Sequence, residues 1–103
     1  MKFGSWYPLS DAGDLAPAGE GMIQLRLAEG LLEYPRGKSA MVWYQHARDV
    51  RAAALELATR HSGKRLVCRH LIELEAGVDL AVFCAKLRED FVRRFGAVPE
   101  YES

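Results

Sequence analysis

Between Met22 and Ala28 the apolar side chains of Ile23, Leu25 and Leu27 fall on every second residue. From Val50 onward the period changes. Val50, Ala53, Ala54, Leu57, Ala58 and His61 fall at i, i+3, i+4, i+7, i+8 and i+11, the stripe of an amphipathic helix. A chain that switches from a period of two to one of 3.6 has to place helices against a sheet, so it belongs to a mixed class. Further along, Ala40 to His46 is rich in Val, Trp and Tyr and reads as a second strand. Arg65 to Leu74 reads as a third, with Leu66, Cys68, His70 and Ile72 on one face. Asp79 is placed to cap a second helix, whose stripe is Leu80, Phe83, Cys84, Leu87, Phe91 and Phe95 and which Gly96 ends. The expectation is an α+β fold, a small three-stranded antiparallel sheet flanked by helices, in the order β-β-α-β-α. Leu31 to Tyr34 is too short to count as a further strand.

The boundaries that follow are an irregular N-terminal arm over 1–20, one α+β domain over 21–96 and a short acidic tail over 97–103. The arm holds Phe3, Trp6, Tyr7 and Leu9 without either period, and its aromatic part is expected to pack on the body. With 103 residues, half of them apolar, the chain is long enough for one core without staples. No apolar run reaches the roughly 20 residues of a membrane span, and no signal-peptide core precedes Asp11. The expected setting is cytoplasmic, with no membrane partner. Cys68 and Cys84, alone in apolar runs, read as two small core residues rather than a disulfide or a zinc site.

Several short patterns suggest chemistry that their surroundings withdraw. Gly37-Lys38-Ser39 resembles the end of a phosphate-binding loop, but position 32 is Leu rather than Gly and a strand follows instead of a helix. His46, His61 and His70 have no sequence signal tying them to a nucleophile. Glu73 and Glu75 are spaced to face one way, as paired carboxylates would, and equally as a solvated strand end. The charge pattern says more than the total, which is zero. Residues 21–95 hold 13 basic and 9 acidic groups, whereas the two flanks hold 1 and 5. Arg60, Lys64, Arg65 and Arg69 occur with no acid between Leu57 and Ile72, and Arg36 and Lys38 add a second basic loop. Such a run can follow phosphates or an acidic protein surface.

Two phrases, Gly21-Met22-Ile23 and Trp43-Tyr44-Gln45-His46-Ala47-Arg48-Asp49-Val50-Arg51, together with the element order over 21–95, resemble the GIY-YIG nuclease domain. The resemblance implies a small sheet flanked by helices, and phosphodiester hydrolysis by a pair of Tyr, a helix Arg and a metal-binding Glu. Here the first Tyr position falls on Ile23, the second on Trp43 or, with a slip of one, Tyr44. Gln45 stands at the motif Gly. The Arg position falls on Ala53 or Ala54, and Arg51 lies two residues from Ala53, roughly 200° around the helix. The Glu position falls near Arg88, with Glu89 and Asp90 beside it.

The resemblance with those losses implies a degenerate domain. It would be a non-catalytic binding or regulatory module acting through another protein or through self-association, with no cofactor. The alternatives are a divergent nuclease using Tyr44, Arg51 and Glu89 (or Glu73) with a divalent metal, and a nucleic-acid binder without cleavage. Binding in the last case would use Arg60, Lys64, Arg65, Arg69, Arg36 and Lys38. Lys64→Glu with Arg65→Glu is expected to leave folding within ~0.5 kcal/mol of the parent. If the run binds an anionic partner, the double change weakens that binding and flattens its salt dependence, which a binding titration at two salt concentrations reads.

Overall fold

Strand β3 (Gly21–Leu27) forms the centre of the molecule because its alternating side chains are apolar enough to be covered on both faces. It pairs antiparallel with β6 (Met41–Ala47) on one side and β7 (Leu66–Glu73) on the other. This computed structural model describes residues 1–100; residues 101–103 of the expected acidic tail lie outside that range. Helix α2 (Val50–Arg60) covers the face bearing Ile23 and Leu25, and helix α3 (Leu80–Phe95) covers the face bearing Met22. The sheet therefore lies between two apolar layers.

The expected three-stranded sheet is corrected by the N-terminal arm. Two short strands, β1 (Lys2–Phe3) and β2 (Tyr7–Pro8), both pair antiparallel with the outer side of β7 and bring the main sheet to five strands. A 3-10 turn (Leu9–Asp11) and the single turn α1 (Ala12–Leu15) follow, so the stretch read as irregular is ordered by the sheet it borders. Leu9, Ala12 and Ala16 are buried in the α2-side layer. Two-residue strands carry no measurable alternation, and only the free edge of β7 defines them. Outside the main sheet, β4 (Leu32–Tyr34) and β5 (Gly37–Ser39) form a separate hairpin. The order is thus β-β-α-β-β-β-β-α-β-α, and the α+β class stands.

The helices start and stop where side-chain chemistry directs. Asp49 Oδ1 accepts from the Ala52 amide at 3.1 Å, and Asp79 Oδ1 accepts from the Ala81 and Val82 amides at 2.9 and 3.3 Å. At the far end of α3, Gly96 adopts φ 86°, and its amide donates to Val92 O at 2.7 Å. The hairpin packs there. Tyr34 lies edge-on to Phe91 with ring centroids 4.9 Å apart and donates its hydroxyl to Met41 O at 2.7 Å. Between the Trp43–Leu25 and Met41–Arg26 pairs, β6 has one residue more than β3, and Val42 is the extra residue of this bulge. Val42 is fully buried in the α2-side layer, where Trp43 packs beside it.

Gly21 opens β3 directly under α2. A Cβ at this position would lie 2.8 Å from Val50 Cγ2, closer than carbon atoms approach. Gly21→Ala is therefore expected to destabilise the fold by about 1–3 kcal/mol, since neither a central strand nor a capped helix start shifts freely. A urea titration should show a lower midpoint with an unchanged slope.

Candidate functional site

A concavity lies between β6 and α3, a groove of about 440 Å³ lined by Trp43, Tyr44, Gln45, His46, Ala81, Cys84, Ala85, Arg88 and Glu89. Small residues at 81 and 85 on the helix leave it open beside the strand. The Arg88 guanidinium sits 5.4 Å from the Trp43 ring centroid, and Arg88 Nε is buried without a hydrogen-bond partner among the described residues. Trp43 Nε1 donates to Gln45 Oε1 at 2.8 Å, and His46 Nε2 lies 2.8 Å from Glu20 Oε2. Burial holds the Cys84 thiol above its usual range, against the opposing pull of Arg88 and of a hydrogen bond from the His46 backbone.

The groove brings Tyr44 and Glu89 of the nuclease set together but not Arg51. Tyr44 is buried, edge-on to Phe91 at 5.9 Å, and burial keeps its phenol neutral despite nearby Arg69. Arg51 belongs to α2 on the opposite side of the sheet, where its Nε donates to Ala16 O at 2.8 Å. Glu73 is exposed at the sheet edge opposite Lys2, and Glu75 accepts from the N-terminal ammonium at 3.1 Å, so the two do not form a carboxylate pair. Although His46, Cys84 and Glu89 all line the groove, no three His, Cys, Asp or Glu side chains among the described residues are placed to hold a metal ion.

The basic residues separate into three places. Arg60 and Arg65 flank the α2–β7 turn, where Arg60 pairs with Glu56 at 3.0 Å and Arg65 with Glu29 at 3.3 Å; Lys64 between them is half-buried. In the hairpin Lys38 lies 3.7 Å from Glu33, and Arg36 donates to Val92 O at the end of α3. Exposed pairs of this kind contribute little stability. They nevertheless fill the run with nearby acids that a linear reading does not see, because Glu29 comes from the turn after β3. Arg69, expected on an open face, lies instead under the arm. Its guanidinium is 4.5 Å from the centroids of both Phe3 and Trp6, and its Nε donates to Gln24 Oε1 at 2.8 Å.

Two further groupings were not legible from spacing. On the α2 side, β2 places the Tyr7 hydroxyl 3.0 Å from His70 Nδ1 and directly across from Cys68. Burial raises Tyr7 far above the usual phenol range and pushes the Cys68 thiol up to about 11, while it lowers His70. The group is therefore a neutral phenol hydrogen-bonded to an imidazole beside a protonated thiol, which describes a polar tie under the arm. The second grouping gathers Trp6, Arg26 and Arg69 on the other face. The visible signal for it was that Gln24 and Arg26 take the positions alternating with Ile23, Leu25 and Leu27 on what proved to be the central strand.

Comparison of the chain with protein-family models, curated proteins and solved structures returned no match. What the fold itself defines is a small α+β domain whose sheet, among the described residues, has one covered and one open edge. Among the described residues no helix is long and apolar enough to cross a membrane.

His70 and His61 give this domain an acid-side liability. Burial lowers both, and Lys64 and Arg60 lower His61 further. The unfolded chain therefore takes up protons near the ordinary imidazole value of about 6.5 while the folded chain still resists them. Stability should be fullest above that value and fall as pH drops below it. His70→Gln should blunt the fall, as read from urea midpoints at pH 7.5 and 5.5.

Proposed function

We propose that this chain is a non-catalytic binding module that works through protein contact, with a second copy of itself as the occupant of the β6–α3 edge. In this reading it is a degenerate relative of the GIY-YIG domain. The observation that carries it is the inequality of the two sheet edges. The outer side of β7 is taken by β1 and β2, whereas β6, seven residues long, pairs among the described residues with β3 alone. An open strand edge favours strand addition. Beside it, Arg88 and Glu89 offer a cation and a carboxylate next to each other. A two-fold contact is self-complementary, so Arg88 of each copy can meet Glu89 of the other and both charges are answered at once. The zero net charge adds no long-range repulsion between copies. The scattered nuclease set supports the non-catalytic half, since Arg51 and Glu89 belong to helices on opposite faces.

Light scattering across a hundredfold concentration range is expected to show the mass rising from one chain to two. Arg88→Glu should weaken association at least tenfold, and Arg88→Glu combined with Glu89→Arg should restore it. A mass that stays at one chain throughout overturns the self-association. Cleavage of DNA or RNA with Mg²⁺ or Mn²⁺ that Tyr44→Phe abolishes overturns the non-catalytic reading.

A further inference from the structure

Arg26 and Arg69 form a second feature, on β3 and β7 rather than at the β6–α3 edge. They project from β3 and β7 on the same face: Gln24 is opposite Arg69 in the ladder, and Arg26 is two residues along from Gln24. The arm lays Trp6 over both. Arg26 Cζ lies 4.2 Å from the Trp6 ring centroid and Arg69 Cζ 4.5 Å from it, which puts the two charges within about 9 Å of each other. Phe3 stacks on Arg69 as well, at 4.5 Å.

Neither arginine has a carboxylate partner among the described residues. Exposed cations such as Arg48 and Lys86 need none, because water surrounds them. Arg26 and Arg69 are half-buried, and Arg69 loses part of its preference for charge first to burial and then to Arg26. Stacking on an aromatic face stabilises a cation by about 0.5–2 kcal/mol but does not neutralise it. Gln24 accepts only the Nε proton of Arg69, and the indole offers its faces rather than oxygen atoms. The terminal nitrogens of both forks keep donors that no described protein oxygen accepts.

We propose that Arg26 and Arg69, framed by Trp6 and Phe3, bind a phosphate dianion, either free phosphate or the terminal group of a phosphate monoester. Two guanidinium forks present paired N–H donors suited to tetrahedral oxyanions, and a dianion answers both charges where a single carboxylate answers one. Gln24 fixes the orientation of Arg69, and Trp6 of the arm covers one side of both guanidinium groups. The proposal does not depend on the β6–α3 edge.

Trp6 reports on the site directly. In a Trp43→Phe chain, inorganic phosphate is expected to change the Trp6 emission along a saturable curve, whereas chloride at matched ionic strength leaves it unchanged. A nucleoside 5′-monophosphate titrated in parallel distinguishes the sources: tighter binding assigns the monoester, equal binding the free ion. Arg26→Gln keeps the Gln24–Arg69 bond and gives up one stacking contact on Trp6, so it should stay folded with at most a small drop in melting temperature while phosphate binding weakens at least tenfold. Arg69→Gln should do the same to binding with some loss of stability. Equal responses to phosphate and chloride, or full phosphate binding in folded Arg26→Gln, overturn the site. So does a single-stranded oligonucleotide that outcompetes both phosphate ligands at the same residues, because the ligand is then a phosphodiester strand.

Discussion

Burial of β3 on both faces, with hydrogen-bonded neighbours on both sides, is the constraint from which the rest of the molecule follows. A strand in that position can present Ile23 and Leu25 to one helix and Met22 to the other, and each helix then needs its own apolar stripe. It also fixes what polar residues on β3 must do. Gln24 is buried at the centre of the sheet and has to find a partner, which Arg69 supplies from the next strand. Arg26, one step nearer the strand end, is answered by the indole of Trp6 rather than by an acid. The polar positions of the central strand thus recruit the N-terminal arm, and the arm in turn closes the outer edge of β7.

Closing one edge leaves an asymmetric sheet. Long open edges are uncommon in isolated domains because they template pairing with other chains. On β6 the hairpin occupies only the Met41 end, through Tyr34, and α3 overhangs the His46 end without completing a strand contact. Ala81 and Ala85 keep the intervening helix face low. The same small residues that produce the groove also set how near another backbone can come to β6.

The long elements were legible because each repeats its pattern often enough to be read. The α2 stripe, the Asp79 cap and the Gly96 stop all appear where the sequence puts them, since caps and periodicity act within a few residues. The sheet was undercounted for the opposite reason. β1 and β2 are two residues each, and their conformation comes from pairing with a strand about sixty to seventy positions away. The same distance effect governs the candidate residues. Arg69 looked exposed because alternation alone places it away from Leu66 and Cys68, and nothing in that pattern tells that Trp6 and Phe3 cover the other face. The basic run looked continuous because Glu56 lies just outside it, one helical turn before Arg60, and Glu29 reaches it only through the fold.

The two cysteines are free and buried, Cys68 in the layer beneath α2 and the arm, Cys84 in the layer beneath α3. The sheet separates them, so each thiol is shielded by a different set of contacts. Partial opening of a protein exposes its cooperative units at different rates. In this chain the two halves carry separate chemical clocks: a thiol reagent that reaches Cys68 first times the lifting of the arm and α2. One that reaches Cys84 first times the release of α3. The order of modification reports which layer gives way before the sheet itself is lost.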